Sequence, residues 1–156
     1  MKFILLHAST AKEEWSQSAT ELYLKKLQHF VQFEIQSIKP KKLSRDDKDS
    51  KRQSESDAIL QAINSDDFLI LFDEKGAQFN SIDFSKKINQ ILNSGKKRAV
   101  FIVGGAYGVN DEIKKRAHLK ISLSQLTFNH LLAITVALEQ IYRGFTIIKN
   151  IPYHND

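Results

Sequence analysis

The chain has no cysteine. That excludes a disulfide framework, a thiolate metal site and a cysteine nucleophile, and it is compatible with a reducing cytoplasm. No apolar run approaches the roughly 20 residues of a membrane span, so no membrane partner is expected. The opening MKFILLHAST carries one Lys and a short apolar run broken by His7, too short for a secretory leader and without a cleavage site. No internal repeat is visible. No G-x-G-x-x-G fingerprint and no P-loop, which would need Gly-Lys-Ser/Thr, is present. No residue cluster is singled out as a metal site.

What is there is an ordinary globular composition. The 156 residues are 42% apolar and 26% charged, the size of one domain spanning 1–156. The formal net charge of +5 tolerates a polyanionic partner, of which nucleic acid is the commonest; a surface that is merely basic is the plain alternative.

Hydrophobic patterning alternates between strands and helices. Lys2–Ala8 reads as a buried strand, because Phe3-Ile4-Leu5-Leu6 is continuous rather than alternating. A helix follows to about His29, capped by Ser9 or Thr10 with Glu13 as a capping box. Trp15, Ala19, Leu22, Tyr23 and Leu27 lie on its helical period. Val31, Phe33 and Ile35 alternate with polar residues, as on a half-exposed strand near the sheet edge. From Lys41 to Asp57 basic and acidic residues interleave with one apolar residue, Leu43. This stretch is expected to be a mobile loop feeding the solvated start of a helix. It is either a plain linker or an arm reaching RNA phosphates. Ala58–Asn64 finishes that helix. Phe68–Phe72 is a buried strand closed by Asp73-Glu74-Lys75-Gly76, a turn whose acids could also touch a ribose. Ser81 opens a helix with Phe84, Ile88, Ile91 and Leu92 on one face, stopped at Asn93-Ser94-Gly95. Val100–Val103 and Leu119–Leu123 are strands around a short helix, and a long apolar helix runs from about Asn129 to Tyr142. The order predicts an α/β fold, a parallel or mostly parallel sheet with helices on both faces.

Two strand exits in the last third could line one pocket: Gly104-Gly105-x-x-Gly108, and Ser122-Leu123-Ser124-Gln125-Leu126-Thr127. Ligands of such sheets bind at the carboxyl ends of strands. The glycines permit positive φ and close approach of a ligand, though a tight turn explains them equally. The hydroxyls and free backbone groups of the second exit suit an adenine edge or a ribose; helix capping by Thr127 or Asn129 is the competing reading. His130 is either a ligand or base, or a hydrogen-bonded structural histidine. The last helix is apolar on more than one face, which in so short a chain favours a dimer interface. Arg143, Tyr153 and His154 complete the polar candidates. Arg143 also complements a helix dipole, and the last two lie near the chain end, where a disordered tail is the default.

The strand into Gly104-Gly105-x-x-Gly108, the Leu123-Ser-x-Leu-Thr-Phe-x-His130 stretch, Glu139-Gln140-x-Tyr142-Arg143 and the terminal Tyr153-His154 together resemble the RlmH family over the whole chain. These are SPOUT-class methyltransferases acting on a pseudouridine of 23S ribosomal RNA in the large subunit. The resemblance implies an α/β knot fold, with the C-terminal third threaded as a deep trefoil knot, a homodimer, and S-adenosylmethionine as cofactor. Carried over by position, the cofactor site is Phe72, Gly104, Gly105, Leu123, Ser124, Gln125, Leu126, Thr127 and Phe128. The implied reaction is methyl transfer to N3 of pseudouridine. His154 and Arg143 would then serve as base and anion stabiliser, and Tyr153 as positioner, with His130 the alternative. Without an appended RNA-binding domain, recognition is expected to come from the dimer surface and the 41–57 arm, and to need the assembled ribosome. Two positions depart from the family pattern: Asn129 stands where Pro commonly follows Thr-Phe, and Ile134 where an Arg lies early in the last helix. Alternative readings are a related enzyme acting on transfer RNA and a non-catalytic ribosome- or nucleotide-binding α/β protein.

Overall fold

A computed structural model describes residues 1–8, 11–41 and 47–155. Five strands and five helices alternate strictly: β1 Lys2–His7, α1 Glu14–Gln28, β2 Gln32–Ser37, α2 Lys48–Ala62, β3 Phe68–Ala77, α3 Ser81–Leu92, β4 Arg98–Val103, α4 Asp111–Arg116, β5 Leu119–Ile121 and α5 His130–Ile148. All strand pairs are parallel, in the order β2-β1-β4-β3-β5. The continuous apolar runs have their explanation here. In β1, Phe3 and Leu5 enter one core with Phe101, Phe84, Ile88 and Phe145, while Ile4 and Leu6 enter the other with Ile102, Ile59 and Ile113. A strand covered by helices on both faces has no solvent side on which to place polar residues. The edge position of β2 agrees with its alternation.

Several local expectations are corrected. Helix α1 has Glu13 at its N-cap position with no side-chain cap, and the expected caps Ser9 and Thr10 lie outside the described residues. Its inward stripe runs through Ser16 and Leu27; Trp15 and Leu22, on the expected stripe, are 49% and 50% exposed. Within the charged stretch 41–57, the expected helix start comes early, at Lys48. Asp47 caps it by accepting from the Ser50 N–H at 2.8 Å, and Lys48, Asp49, Arg52 and Asp57 lie exposed on it. Leu43 and its neighbours 42–46 lie outside the described residues. Strand β3 does not stop at Phe72: Asp73–Gly76 continue it through an irregularity, and Ala77 pairs with Ile121. Helix α5 runs on to Ile148, so Phe145 lies inside it, stacked on Phe30 and tilted against Phe3. At 19 residues α5 is long and apolar enough to cross a membrane by composition. Its inner face instead supplies Ile134, Ala137, Leu138 and Ile141 to the core.

Candidate active site

The glycine turn is held from both ends. After Val103 the chain forms a tight turn closed by the Gly108 N–H donating to the Gly105 carbonyl at 2.9 Å, with Gly108 at φ +71°. A side chain on Gly104 would put its Cβ 2.9 Å from Val109 Cγ1; one on Gly105 would run into the Glu55 carboxylate. Buried Val109 anchors the exit, and Asn110 caps α4 by accepting from the Ile113 N–H at 3.1 Å. Helix α2 braces the turn from behind. The Asn110 N–H donates to Ser56 Oγ at 2.9 Å, and that hydroxyl donates to the Arg52 carbonyl at 2.7 Å. Glu55 Oε2 is buried there without a hydrogen-bond partner, and burial raises the Glu55 pKa against the opposing charge of Lys51.

The second exit folds onto the extension of β3. The Ser122 N–H donates to the Ala77 carbonyl at 2.9 Å, and Gly76 packs so closely on the Lys120–Ile121 backbone that no Cβ fits. Within the loop, Ser122 Oγ donates to the Ser124 carbonyl at 2.8 Å, and the Leu126 N–H donates to Ser124 Oγ at 2.9 Å. Thr127 Oγ1 donates to Glu74 at 3.3 Å. Asn129 is the N-cap of α5, accepting from the Leu131 N–H at 2.9 Å. The side chain in the place of the family's proline thus supplies a cap, and Ile134 is 2% exposed, a core residue.

Between the two exits lies a cavity of about 690 Å³ at the carboxyl ends of β3 and β4. Phe72, Gly104, Leu123, Ser124, Leu126, Thr127 and Phe128 line it; Gly105 and Gln125 do not. Asp73 and Glu74, weighed as ribose contacts, are on its wall with Lys75, Arg52, Tyr107 and Lys114. Sequence reasoning missed the last four. Tyr107 had a signal, an aromatic side chain at the tip of a glycine turn; Arg52 had none, since nothing in a mixed-charge stretch says which face meets the turn. Its size, and walls that mix apolar surface with convergent polar and charged groups, are compatible with a small-molecule site. A more open depression along α2, lined mostly by charged, amide and hydroxyl residues beside Lys39 and Lys41, lies away from the strand exits.

His130 also lines the cavity. Burial lowers its pKa while a hydrogen bond to the Gly104 backbone partly offsets the shift, and its Nε2 is buried with no partner. His7, at the end of β1, lies with its ring 6.2 Å from that of His130, and its pKa falls to about 4 through burial and then the His130 charge.

Arg143, Tyr153 and His154 are brought together, but away from this cavity. Arg143 grips Glu139 Oε1 through Nη2 at 2.6 Å and Nε at 3.1 Å, and its Nη1 is 3.2 Å from His154 Nδ1. Tyr153 donates to the same Glu139 oxygen at 3.0 Å, with the guanidinium 4.7 Å from its ring centre. The Tyr153 pKa is raised by burial and by hydrogen bonds to Tyr23 and Glu139, and that of Arg143 by its bond to Glu139. Nothing in this cluster lines the cavity.

Residues 1–154 match the family described as predicted SPOUT methyltransferases. A protein of Bdellovibrio bacteriovorus named ribosomal RNA large subunit methyltransferase H is 59% identical over 155 residues, covering 99% of each chain. A protein of the same name from Christiangramia forsetii is 38% identical over 156 residues, covering 99% of this chain and 98% of its own. A third from Phocaeicola vulgatus is 35% identical over 157 residues, the full length of both chains.

Proposed function

Since the chain belongs to the SPOUT methyltransferase family, we propose that it is the methyltransferase that modifies N3 of a pseudouridine in 23S ribosomal RNA of the assembled ribosome, using S-adenosylmethionine in the cytoplasm. The observation that carries this reading is the cavity where the glycine turn and the 123–128 loop converge, in a chain alike from end to end to enzymes named for ribosomal RNA methylation.

The cavity fits the cofactor. Its volume suits a nucleoside-sized ligand, its walls offer Phe72 and Phe128 as apolar surfaces, and His130 Nε2 is a buried polar atom lacking a partner. Gly104 and the loop from Leu123 to Phe128 would hold it largely through backbone groups, with Gly105 shaping the turn and Gln125 closing the outer side. The cofactor's sulfonium supplies the electrophilic methyl group. The protein's task is to align the acceptor, remove the N3 proton and steady the charge that develops on the uracil carbonyls. In this reading Arg143 offers the cation, with Glu139 fixing its fork. His154 takes the proton, and Tyr153, bonded to Glu139, holds the tail in place.

These groups serve a cavity they do not reach in one chain. Arg143 lies thirteen residues beyond His130, about 20 Å along the axis of α5. A homodimer resolves the separation when the tail of one subunit faces the cavity of the other. The outward side of α5, with exposed Leu132 and half-buried Val136, is the apolar surface available for that contact. The family also implies that the C-terminal third is a deep trefoil knot. The close packing of Gly76 on β5 and the passage of the 122–129 loop beside Glu74 and Gln78 support it.

The test is incubation with labelled S-adenosylmethionine and ribosomes from cells lacking the endogenous methyltransferase, followed by mapping of the label. Label on a pseudouridine of the large-subunit RNA is the expected result. Label on transfer RNA alone, or cofactor binding without transfer to ribosomes, overturns the reading.

A further inference from the structure

We propose that the Tyr107 ring, flanked by Lys48 and Arg52, is a stacking platform at the cavity mouth for a base of the RNA strand that carries the target nucleotide. This rests on the ribosomal reading above and deepens it by naming the surface that meets the substrate.

Tyr107 is 41% exposed, although it sits on the wall of the cavity. Its own packing does not explain an aromatic ring at that place. The backbone carrying it is rigid: the Gly108-to-Gly105 hydrogen bond closes the turn beneath it, Val109 is buried just beyond, and Asn110 is bonded to α2 through Ser56. A ring presented on a fixed turn loses little freedom when a partner stacks on it. Lys48 Nζ lies 5.9 Å from the ring centre, and Arg52, from the next turn of α2, lines the cavity wall itself. Lys75 and Lys114 add cations to the same rim. An exposed aromatic with cations beside it, at the edge of a nucleoside-sized cavity, is how proteins hold single-stranded RNA: the ring takes a base and the cations take neighbouring phosphates. A second copy of this chain fits less well, because interface centres are poor in lysine and α5 already offers an apolar face. Arg52 is paired with Asp49 at 2.9 Å on the solvent side, a weak exposed pair that a phosphate can replace.

The experiment uses the full-length protein and ribosomes lacking the modification, with the variants Tyr107→Ala, Tyr107→Phe and Lys48→Ala. Steady-state methylation, ribosome binding by filter retention, cofactor titration and sedimentation are measured on each. Tyr107→Ala is expected to raise KM for ribosomes, and to weaken ribosome binding, about tenfold, while kcat moves less than twofold. Tyr107→Phe keeps wild-type values, because stacking needs the ring and not the hydroxyl. Lys48→Ala lowers the salt dependence of ribosome binding by about one phosphate contact. The proposal is overturned if Tyr107→Ala binds ribosomes as the wild type does, if its defect is in cofactor affinity, or if its dimer dissociates. Wild-type protein that binds ribosomes without methylating them removes the enzymatic reading and leaves this one to be judged on binding; wild-type protein that does not bind ribosomes removes both.

Discussion

The two ends of α5 are built on opposite plans. At the amino end, His130 opens into a cavity walled by strand exits, loops and helix residues, and its buried Nε2 has no partner; Glu55 Oε2, also unpartnered, lies behind the glycine turn and off the cavity. At the carboxyl end, Glu139, Arg143, Tyr153 and His154 bond to one another and pack on Tyr23 and Tyr142. The first region carries unmet hydrogen-bonding capacity, which a ligand can satisfy; the second meets its own needs in the free protein. An unsatisfied buried group costs about 1–3 kcal/mol, so a cavity that keeps His130 Nε2 unpartnered is organised for something that binds. A self-satisfied cluster holds its shape before the substrate arrives, the property wanted of groups that must not reorganise during reaction.

The sharpest way to break this comparison is to separate the two ends genetically. Arg143→Ala is expected to lower methyl transfer by about two to three orders of magnitude while the cofactor dissociation constant stays within about twofold. Gly104→Val is expected to abolish cofactor binding, because its Cβ meets Val109 and the Gly108 backbone, both on the cavity wall, and displaces the turn that carries them. Co-expression of the two variants then tests the proposed dimer geometry. If the tail of one subunit serves the cavity of the other, an Arg143→Ala protomer with an intact cavity regains activity from its Gly104→Val partner's intact tail. If each chain serves itself, the mixture stays inactive, and the twenty-odd ångströms between the ends must be closed by movement within one chain.

A smaller effect sharpens the contrast on the cavity side through pH. His7 stays neutral in the folded protein because burial holds its pKa near 4, against 6.5 for the free side chain. Between those values the unfolded chain takes up a proton that the folded one refuses. Stability is therefore full above about pH 6.5 and is lost as the pH falls toward 4. Discounted for the partial exposure of the ring, the loss is about 2 kcal/mol. His130 and His118, also lowered by burial, act in the same direction, and Glu55, raised by burial, opposes them at the acid end. Urea unfolding at about pH 7 and pH 4.5 should show the loss in the wild type and less than half of it in His7→Gln. Equal losses in both would assign the acid sensitivity elsewhere.

How far the sequence could be read follows from what each residue faces. Phe3-Ile4-Leu5-Leu6 announced a doubly covered strand because burial on both faces removes every polar position. The glycine turn and the 123–128 loop were legible as neighbours because parallel strands send their exits to one edge of the sheet. The bracing of the glycine turn by Glu55 and Ser56 was not legible, since side chains spaced by whole turns of a polar helix look alike until the opposing surface is known. The gathering of Arg143, Tyr153 and His154 came through family resemblance, and their distance from the cavity came only with the length of α5. The continuation of β3 through Asp73–Gly76 was hidden because its composition is that of a turn, while the backbone of β5 pairs it into the sheet.

The smallest expected effect belongs to Trp15 and Leu22, the residues that helical periodicity placed inside. A tryptophan at i and apolar residues seven and eight positions later form a convincing stripe, yet α1 turns Ser16 and Leu27 to the sheet and leaves Trp15 and Leu22 about half exposed. Trp15→Gln and Leu22→Gln should each change unfolding free energy by less than about 0.5 kcal/mol, against about 2–5 kcal/mol for Leu27→Ala in the same helix. Chemical denaturation of the dilute protein checks this directly. A loss above 1 kcal/mol at either surface position would mean that the outer side of α1 is covered in solution. If that loss also grew smaller on dilution, α1 rather than the outward face of α5 would be the side on which the subunits of the proposed dimer meet.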